Sequence, residues 1–212
     1  MKNPLLSFSN QPFGTIPFKD LKNDHFIPAV TEGIKNAEIT IDKISTSTEP
    51  PTFENTILPF ELSGQRLNTA VTAYYHLFGS ESDQELKGLA EKISPMMAEF
   101  SSNIYLNVGL FKRIKTVYEN KHNLNDKEDL RILDIIYKDF LRNGAGLSEK
   151  KKNELRKVDK ELSTLSPKFS NNVLNATNEF ELWLNKEDLE GLPDIVIDSA
   201  KLAAKEKGNS NK

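Results

Sequence analysis

The stretch "ILPFELSGQRLNTAVTAYYHLF", residues 57–78, decides the fold class of this chain. One set of its residues recurs at alternating steps of three and four positions: Ile57, Phe60, Gly64, Leu67, Val71, Tyr74 and Phe78. An α-helix turns once in about 3.6 residues, so this spacing places the whole set on one face. A strand would instead alternate at every second residue. The stretch therefore predicts a long amphipathic helix.

The same helical spacing recurs before and after this stretch. A first helix is predicted to start near "KNDH" (residues 22–25), with Asn23 or Asp24 as its cap and Pro28 in its first turn. The apolar faces of the first helix and of three later helices are Phe26, Val30, Ile34, Ala37, Ile41 and Ile44; Leu86, Leu89, Ile93, Met96, Phe100 and Ile104; Leu130, Leu133, Tyr137 and Phe140; and Leu155, Val158, Leu162, Leu165, Phe169 and Val173.

Polar, proline and glycine residues mark where these helices begin and end. Loops are predicted at residues 45–51 and 119–126, and a stop at residues 144–146. Ser148 is expected to cap the longest helix, which Pro167 should kink or divide.

The last segments complete the fold class. Residues 179–184 alternate polar with apolar, as a short strand would, and a final helix is predicted from Pro193 to Gly208. The prediction is an all-α fold, an irregular bundle of long antiparallel helices with at most one short strand, forming a single domain over residues 1–212.

Composition narrows the range of partners. The chain has 28 basic and 31 acidic residues, and this balance argues against a nucleic-acid partner, which requires a cluster of excess basic charge. Its apolar runs fall far short of the roughly 20 residues that span a bilayer, so no membrane association is expected. The absence of cysteine excludes disulfides, a thiol nucleophile and thiolate metal sites.

The catalytic signatures that we sought are missing from the sequence. His25, His76 and His122 lie 51 and 46 residues apart, and none belongs to the H-E-x-x-H signature of zinc peptidases. Dinucleotide, P-loop and G-x-S-x-G patterns are also missing. The charged stretch "EKKKNELRKVDKEL", residues 149–162, is interpreted as a solvated helix face. The sequence thus predicts no catalytic residue and no metal ligand in this chain, and leaves substrate-binding residues unassigned.

Several segments, taken in order, resemble the N-terminal region of the thimet oligopeptidase and oligopeptidase A family of zinc metallopeptidases, in particular its peptidyl-dipeptidase (dipeptidyl carboxypeptidase) branch. They are "NPLL" (3–6), "PFKDLKNDHFIPAVTEGI" (17–34), "PTFENTILPFELSGQRL" (51–67), "SSNIYLNVGLFKRI" (101–114), "FLRNGAGLSEKKKNEL" (140–155), "LSPKFSNNVLNATNEF" (165–180) and "DLEGLPDIVIDSAKLAAKEKG" (188–208). Each segment alone is weakly specific, but their order and spacing make the resemblance strong over nearly the whole chain.

The resemblance implies that the chain is the N-terminal helical fragment of a longer hydrolase. Such a domain forms one wall of a deep channel for short peptides, and the zinc-binding catalytic domain lies downstream. The implied partners are short peptides and that missing domain. The implied cofactor is zinc in the full-length enzyme, with none bound by this segment, which is expected to be inactive. The implied compartment is the cytoplasm, or the cell envelope if a signal segment has been removed.

A stand-alone helical adaptor or scaffold that binds a protein partner is the competing interpretation. Both interpretations predict amphipathic helices, so helical periodicity alone does not separate them. An H-E-x-x-H motif in the downstream coding sequence would favour the peptidase, and a stop codon after Lys212 would favour the adaptor.

Overall fold

The computed structural model describes residues 3–7, 9–80 and 83–208. Its α-helices are α1 (Phe26–Thr46), α2 (Leu58–Ser63), α3 (Gln65–Ser80), α4 (Gln84–Tyr105), α5 (Val108–Glu119), α6 (Lys127–Arg142), α7 (Glu149–Glu179) and α8 (Asp194–Glu206). The predicted all-α class is confirmed, and no strand occurs in the described residues. No helix in these ranges is long and apolar enough to cross a bilayer.

The chain folds into two compact units, Met1–Lys168 and Phe169–Lys212. The first unit contains α1 to α6 and the beginning of α7, and the second contains the end of α7 and α8. The prediction of one domain over residues 1–212 stays a prediction, because compact units of this kind also occur within single domains.

Helix α1 organises the first unit, where it packs against α2, α3, α4 and α5. Of its predicted apolar face, Ile34 is half-buried and the other members are buried. Gly33 allows the close approach of α3, because a Cβ atom at this position would lie 2.9 Å from the Leu67 Cα. The periodicity therefore predicted the buried face of α1 correctly.

The stretch 57–78 departs from prediction at its centre. A π-helical turn, Phe53–Ile57, leads into α2, and Gly64 separates α2 from α3 with φ −90° and ψ −1°. Glycine has weak helical preference, which explains why the break falls there. The break is local, since the Asn68 N–H still donates to the Gly64 carbonyl at 2.8 Å. Ile57, Leu67 and Tyr74 are all buried, so the apolar face is preserved across it.

Helix α7 is continuous through Pro167, so the helix is not divided there. The boundary between the two units nevertheless falls directly after Lys168. A short strand was allowed at residues 179–184, but α7 extends to Glu179 and residues 180–184 have no regular secondary structure. A strand needs a neighbouring strand for its backbone groups, and here the Phe180 N–H donates to the Ala176 carbonyl instead.

Candidate functional site

His25 has a structural position at the start of α1. Its side chain is buried, and its Nδ1 accepts a hydrogen bond from the Lys22 N–H at 3.2 Å. Its carbonyl accepts from the Asn3 side chain at 2.8 Å, which ties the N-terminal segment to the helix. These contacts hold the N-terminal segment against the start of α1.

The predicted cap of α1 was wrong. Neither Asn23 nor Asp24 caps the helix, which begins directly after the 3-10 turn Asn23–His25. The Asn23 amide instead donates to Asp83 and Glu85 at the start of α4. These carboxylates lie 60 and 62 residues away in the sequence, so no local pattern around Asn23 announces this contact.

The other two histidines lie on the surface. His76 is exposed on α3, with its ring centroid 5.7 Å from that of Phe18, and His122 is exposed in a 3-10 turn, Lys121–Asn123. Across the ranges that the structure describes, no three histidine or acidic side chains form a group able to hold a metal. The described residues therefore supply no histidine and carboxylate set of the kind that holds zinc in the family that the sequence resembles.

A buried arginine is a feature that the sequence interpretation missed. Arg113 on α5 donates to the Ser47 and Glu49 carbonyls and to the side chains of Asn55 and Thr56, at 2.8–3.2 Å. Its guanidinium thereby ties the loop after α1 to the π-helical turn. The signal was present, because Arg113 occurs at helical spacing with the apolar set Leu110, Ile114 and Val117.

The interpretation of residues 149–162 as a solvated face was wrong at Lys152. This side chain is buried, and its Nζ lies 3.3 Å from the Glu149 carboxylate. Lys152 precedes Leu155 by three positions and so shares its side of the helix. An aliphatic stem of this length can lie along apolar surface while the ammonium reaches a carboxylate.

A polar cleft of about 300 Å³ lies between α4 and α7 within the first unit. Hydroxyl groups are prominent in its lining, from Ser101, Ser102, Tyr105, Ser163 and Ser166. Burial, and to a lesser degree Asp139, raises the pKa of Tyr105 above its ordinary value, so the phenol keeps its proton at neutral pH. The cleft therefore presents hydroxyl groups that donate and accept hydrogen bonds, together with the carboxylate of Asp159.

One hydroxyl in this polar cleft is paired with an acid. The Ser102 Oγ donates directly to the Asp159 carboxylate at 3.0 Å. A serine nucleophile of the triad type requires an imidazole between hydroxyl and carboxylate to take up the proton. In this polar cleft the hydroxyl is bonded directly to the carboxylate, without an intervening imidazole.

A second concavity, the second-unit groove, lies between residues 180–184 and α8 and has a volume of about 360 Å³. Its apolar lining includes Phe180, Leu182, Trp183 and Ile197. No hydroxyl, thiol or imidazole is among its lining residues, which also include the charged Glu181, Lys201, Glu206 and Lys207. The apolar part of the lining suits the groove to an apolar ligand surface.

An ion pair lies at the rim of the second-unit groove. The Glu181 carboxylate lies 2.8 Å from the Lys207 ammonium and also accepts from the Trp183 indole N–H at 3.1 Å. Lys207 is the main cause that lowers the pKa of Glu181, and Glu181 in turn raises the pKa of Lys207. Both groups are charged at neutral pH, so this pair adds no net charge to the rim.

The sequence of this chain is similar to the sequences of characterised peptidases. No family model matches the chain. The chain is 32% identical over 212 residues to dipeptidyl carboxypeptidase of Escherichia coli (strain K12). This alignment covers 99% of the chain and 31% of that relative. It is 34% identical over 208 residues to the Salmonella typhimurium (strain LT2) dipeptidyl carboxypeptidase, covering 97% of the chain and 31% of the relative.

A third relative is an oligopeptidase rather than a dipeptidyl carboxypeptidase. The chain is 31% identical over 211 residues to oligopeptidase A of Haemophilus influenzae, which covers 98% of the chain and 30% of the relative. The chain therefore spans less than a third of the length of each of these three proteins.

Proposed function

Because the chain belongs to the family of dipeptidyl carboxypeptidase and oligopeptidase A, we propose that it is the N-terminal helical portion of a longer peptidase. The observation that carries the proposal is a difference in coverage. The alignment with the E. coli dipeptidyl carboxypeptidase includes 99% of this chain but only 31% of that relative. The full-length protein would degrade short peptides as a peptidyl-dipeptidase or an oligopeptidase. Its location would be the cytoplasm.

Within that protein, the chain would form one wall of the substrate channel. A helical wall restricts entry to short, unstructured peptides, because a folded protein is too wide for a narrow channel. The polar cleft between α4 and α7 supports this role, since its hydroxyls and the Asp159 carboxylate can pair with peptide N–H and C=O groups.

The chain itself would not break bonds. The described residues do not supply the donor set that a zinc ion needs, and the hydroxyl of Ser102 is paired directly with an acid. In this proposal the metal and the catalytic groups belong to the remainder of the full-length protein, and this chain contributes shape and substrate contacts.

Peptide cleavage by two purified proteins tests the proposal. The 212-residue chain and the full-length gene product are each incubated with zinc and a short unblocked peptide, and released dipeptides are identified by mass spectrometry. The same peptide with a C-terminal amide is the matched control for carboxyl-end specificity. We expect release by the full-length protein alone. Cleavage by the chain alone would overturn its non-catalytic role, and an inactive full-length protein would overturn the peptidase proposal.

A stand-alone adaptor is the second candidate, and the exposed apolar side chains of α7 and α8 are the observation in its favour. Its test is the downstream coding sequence. An in-frame H-E-x-x-H motif supports the peptidase, and a stop codon after Lys212 supports the adaptor.

A further inference from the structure

We propose that the second-unit groove is a docking surface for the remainder of the full-length polypeptide, which would insert an apolar segment between residues 180–184 and α8. The inference rests on the proposed function, that this chain is one portion of a longer peptidase. It adds the location and the chemistry of the surface that joins the portions.

The first support is the missing core of the second unit. Among its described residues, Ala204 is the only one that is buried. Large apolar side chains are instead exposed, and the most exposed are Phe169 (70%), Phe180 (72%), Leu182 (69%), Ile195 (77%) and Leu202 (65%). Soluble proteins rarely expose so many large apolar groups in so short a segment unless another surface covers them.

The second support is that two of these side chains, Phe180 and Leu182, line the same groove. Phe180, Leu182 and Trp183 meet Ile197 of α8 around a single concavity of about 360 Å³. Because the Glu181–Lys207 ion pair at the rim is already satisfied internally, it leaves no unpaired charge of its own to recruit a charged ligand. An apolar core with a polar rim is the usual anatomy of a protein interface.

The third support identifies the occupant. More than two thirds of the E. coli relative lies outside the matched region. A covalently linked remainder is present at high effective concentration around the groove, whereas a second copy must be recruited from solution. The remainder of the same polypeptide is therefore the favoured occupant.

Carbene footprinting read by mass spectrometry tests the docking surface. Labelling of Phe180, Leu182 and Trp183 is compared between the 212-residue chain and the full-length protein, with exposed Ile39 of α1 as the reference. We expect groove labelling to fall several-fold in the full-length protein while Ile39 keeps its labelling. Unchanged groove labelling, or a fall of the same size at Ile39, would overturn the inference.

Labelling of the 212-residue chain by itself also distinguishes the other possible occupants of the groove. The mass of the chain in solution is measured in parallel by sedimentation. Weak groove labelling in a dimer would identify a second copy, and weak labelling in a monomer would show cover from within this chain. Both results would overturn the inference. Strong labelling in a monomer is expected.

A pair of charge substitutions provides a second readout. Leu182→Lys and its matched control Ile39→Lys both alter exposed positions, so neither should shift the thermal midpoint of the 212-residue chain. In the full-length protein, only Leu182→Lys should lower the midpoint. Equal midpoints for the two full-length variants would contradict docking at the groove.

Peptide cleavage by the wild-type full-length protein keeps the two proposals apart. If the full-length protein cleaves the peptide but its groove is labelled as strongly as in the 212-residue chain, only the docking proposal is overturned. If the groove of the full-length protein is protected from labelling but the protein cleaves no peptide, only the peptidase proposal is overturned.

Discussion

The two compact units of this chain differ in how far their apolar side chains are buried. In the first unit, Phe26, Tyr74 and Phe140 are fully buried, and the Phe140 ring contacts those of Phe60 and Tyr105 edge-on. In the second unit, Phe180 and Leu182 are mostly exposed. Large apolar side chains thus end in different environments in the two units.

Helices α4 and α7 make this contrast concrete. Both carry apolar residues at steps of three and four, yet Leu86 and Ile93 of α4 are buried, whereas Phe169 and Val173, in the second-unit part of α7, are 70% and 49% exposed. A helical pattern shows which face gains from burial, but burial also requires a partner surface. This difference is the physical basis for inferring that a longer protein supplies the missing partner.

Truncating one phenylalanine in each unit should produce the largest difference. Phe140→Ala removes a fully buried ring from the first core and should reduce the free energy of unfolding by about 3–5 kcal/mol. Phe180→Ala, the matched control, changes an exposed position, so its effect in the same chain should stay within about 0.5 kcal/mol. Urea denaturation followed by circular dichroism measures both. Similar losses would show that Phe180 is buried in solution.

Removing one cation from each unit should separate a buried network from a surface pair. Arg113→Met removes the hydrogen bonds to two carbonyls and two side chains and should cost about 2–3 kcal/mol. Lys207→Met removes the partner of Glu181 at the surface and should leave the free energy of unfolding nearly unchanged. Chemical denaturation checks both, and a larger effect for Lys207→Met would reverse the comparison.

Adding a methyl group tests how tightly the first unit is packed. In Gly33→Ala the new Cβ would lie 2.9 Å from the backbone of Leu67, so the variant should lose about 1–3 kcal/mol of stability. Gly79→Ala is the matched control within α3, where nothing lies within 4 Å of the new atom, and it should gain about 0.5 kcal/mol. Thermal unfolding measures the two shifts. A neutral Gly33→Ala variant would contradict the close approach of α1 and α3.

The smallest expected effect is a pH dependence at the start of α4. The Leu86 N–H, and then the Asn23 side chain, lower the pKa of Asp83 below its ordinary value of 3.8. The stabilising effect of this carboxylate is therefore present above its unfolded pKa and is lost as the pH falls through the lower folded pKa. Asp83→Asn keeps a neutral cap, so the thermal midpoint should fall less on acidification than in the wild type.

Two further variants control this titration. Asp83→Ala should lower the midpoint already at neutral pH, because it removes the cap. Glu181→Gln removes a carboxylate of lowered pKa from the second unit and should not alter the acid dependence of first-unit unfolding. An unchanged acid dependence in Asp83→Asn would contradict the role assigned to this cap.

Much of the helical architecture was predictable from local spacing. The buried face of α1, the extent of α4 and α6, and the loops at residues 45–51 and 119–126 all follow from the recurrence of apolar and breaking residues. The resemblance to peptidases was likewise carried by ordered segments and is confirmed by the comparisons. The prediction that this chain holds no catalytic residue or metal ligand is still untested.

Contacts between distant residues were not predictable in this way. Asn23 bonds to Asp83 and Glu85 instead of capping its own helix, and Arg113 reaches loop carbonyls about 60 residues earlier in the chain. Such partners depend on how helices pack, and local propensity contains no information about packing.

The sequence alone therefore determined where helices form and which of their faces are apolar, since both depend on residues within a few turns of each other. Only the folded arrangement showed that much of the apolar set of α7 remains exposed, in contrast to that of α1. The physical reason is that burial belongs to a pair of surfaces, and the second surface can lie far along the chain or outside it.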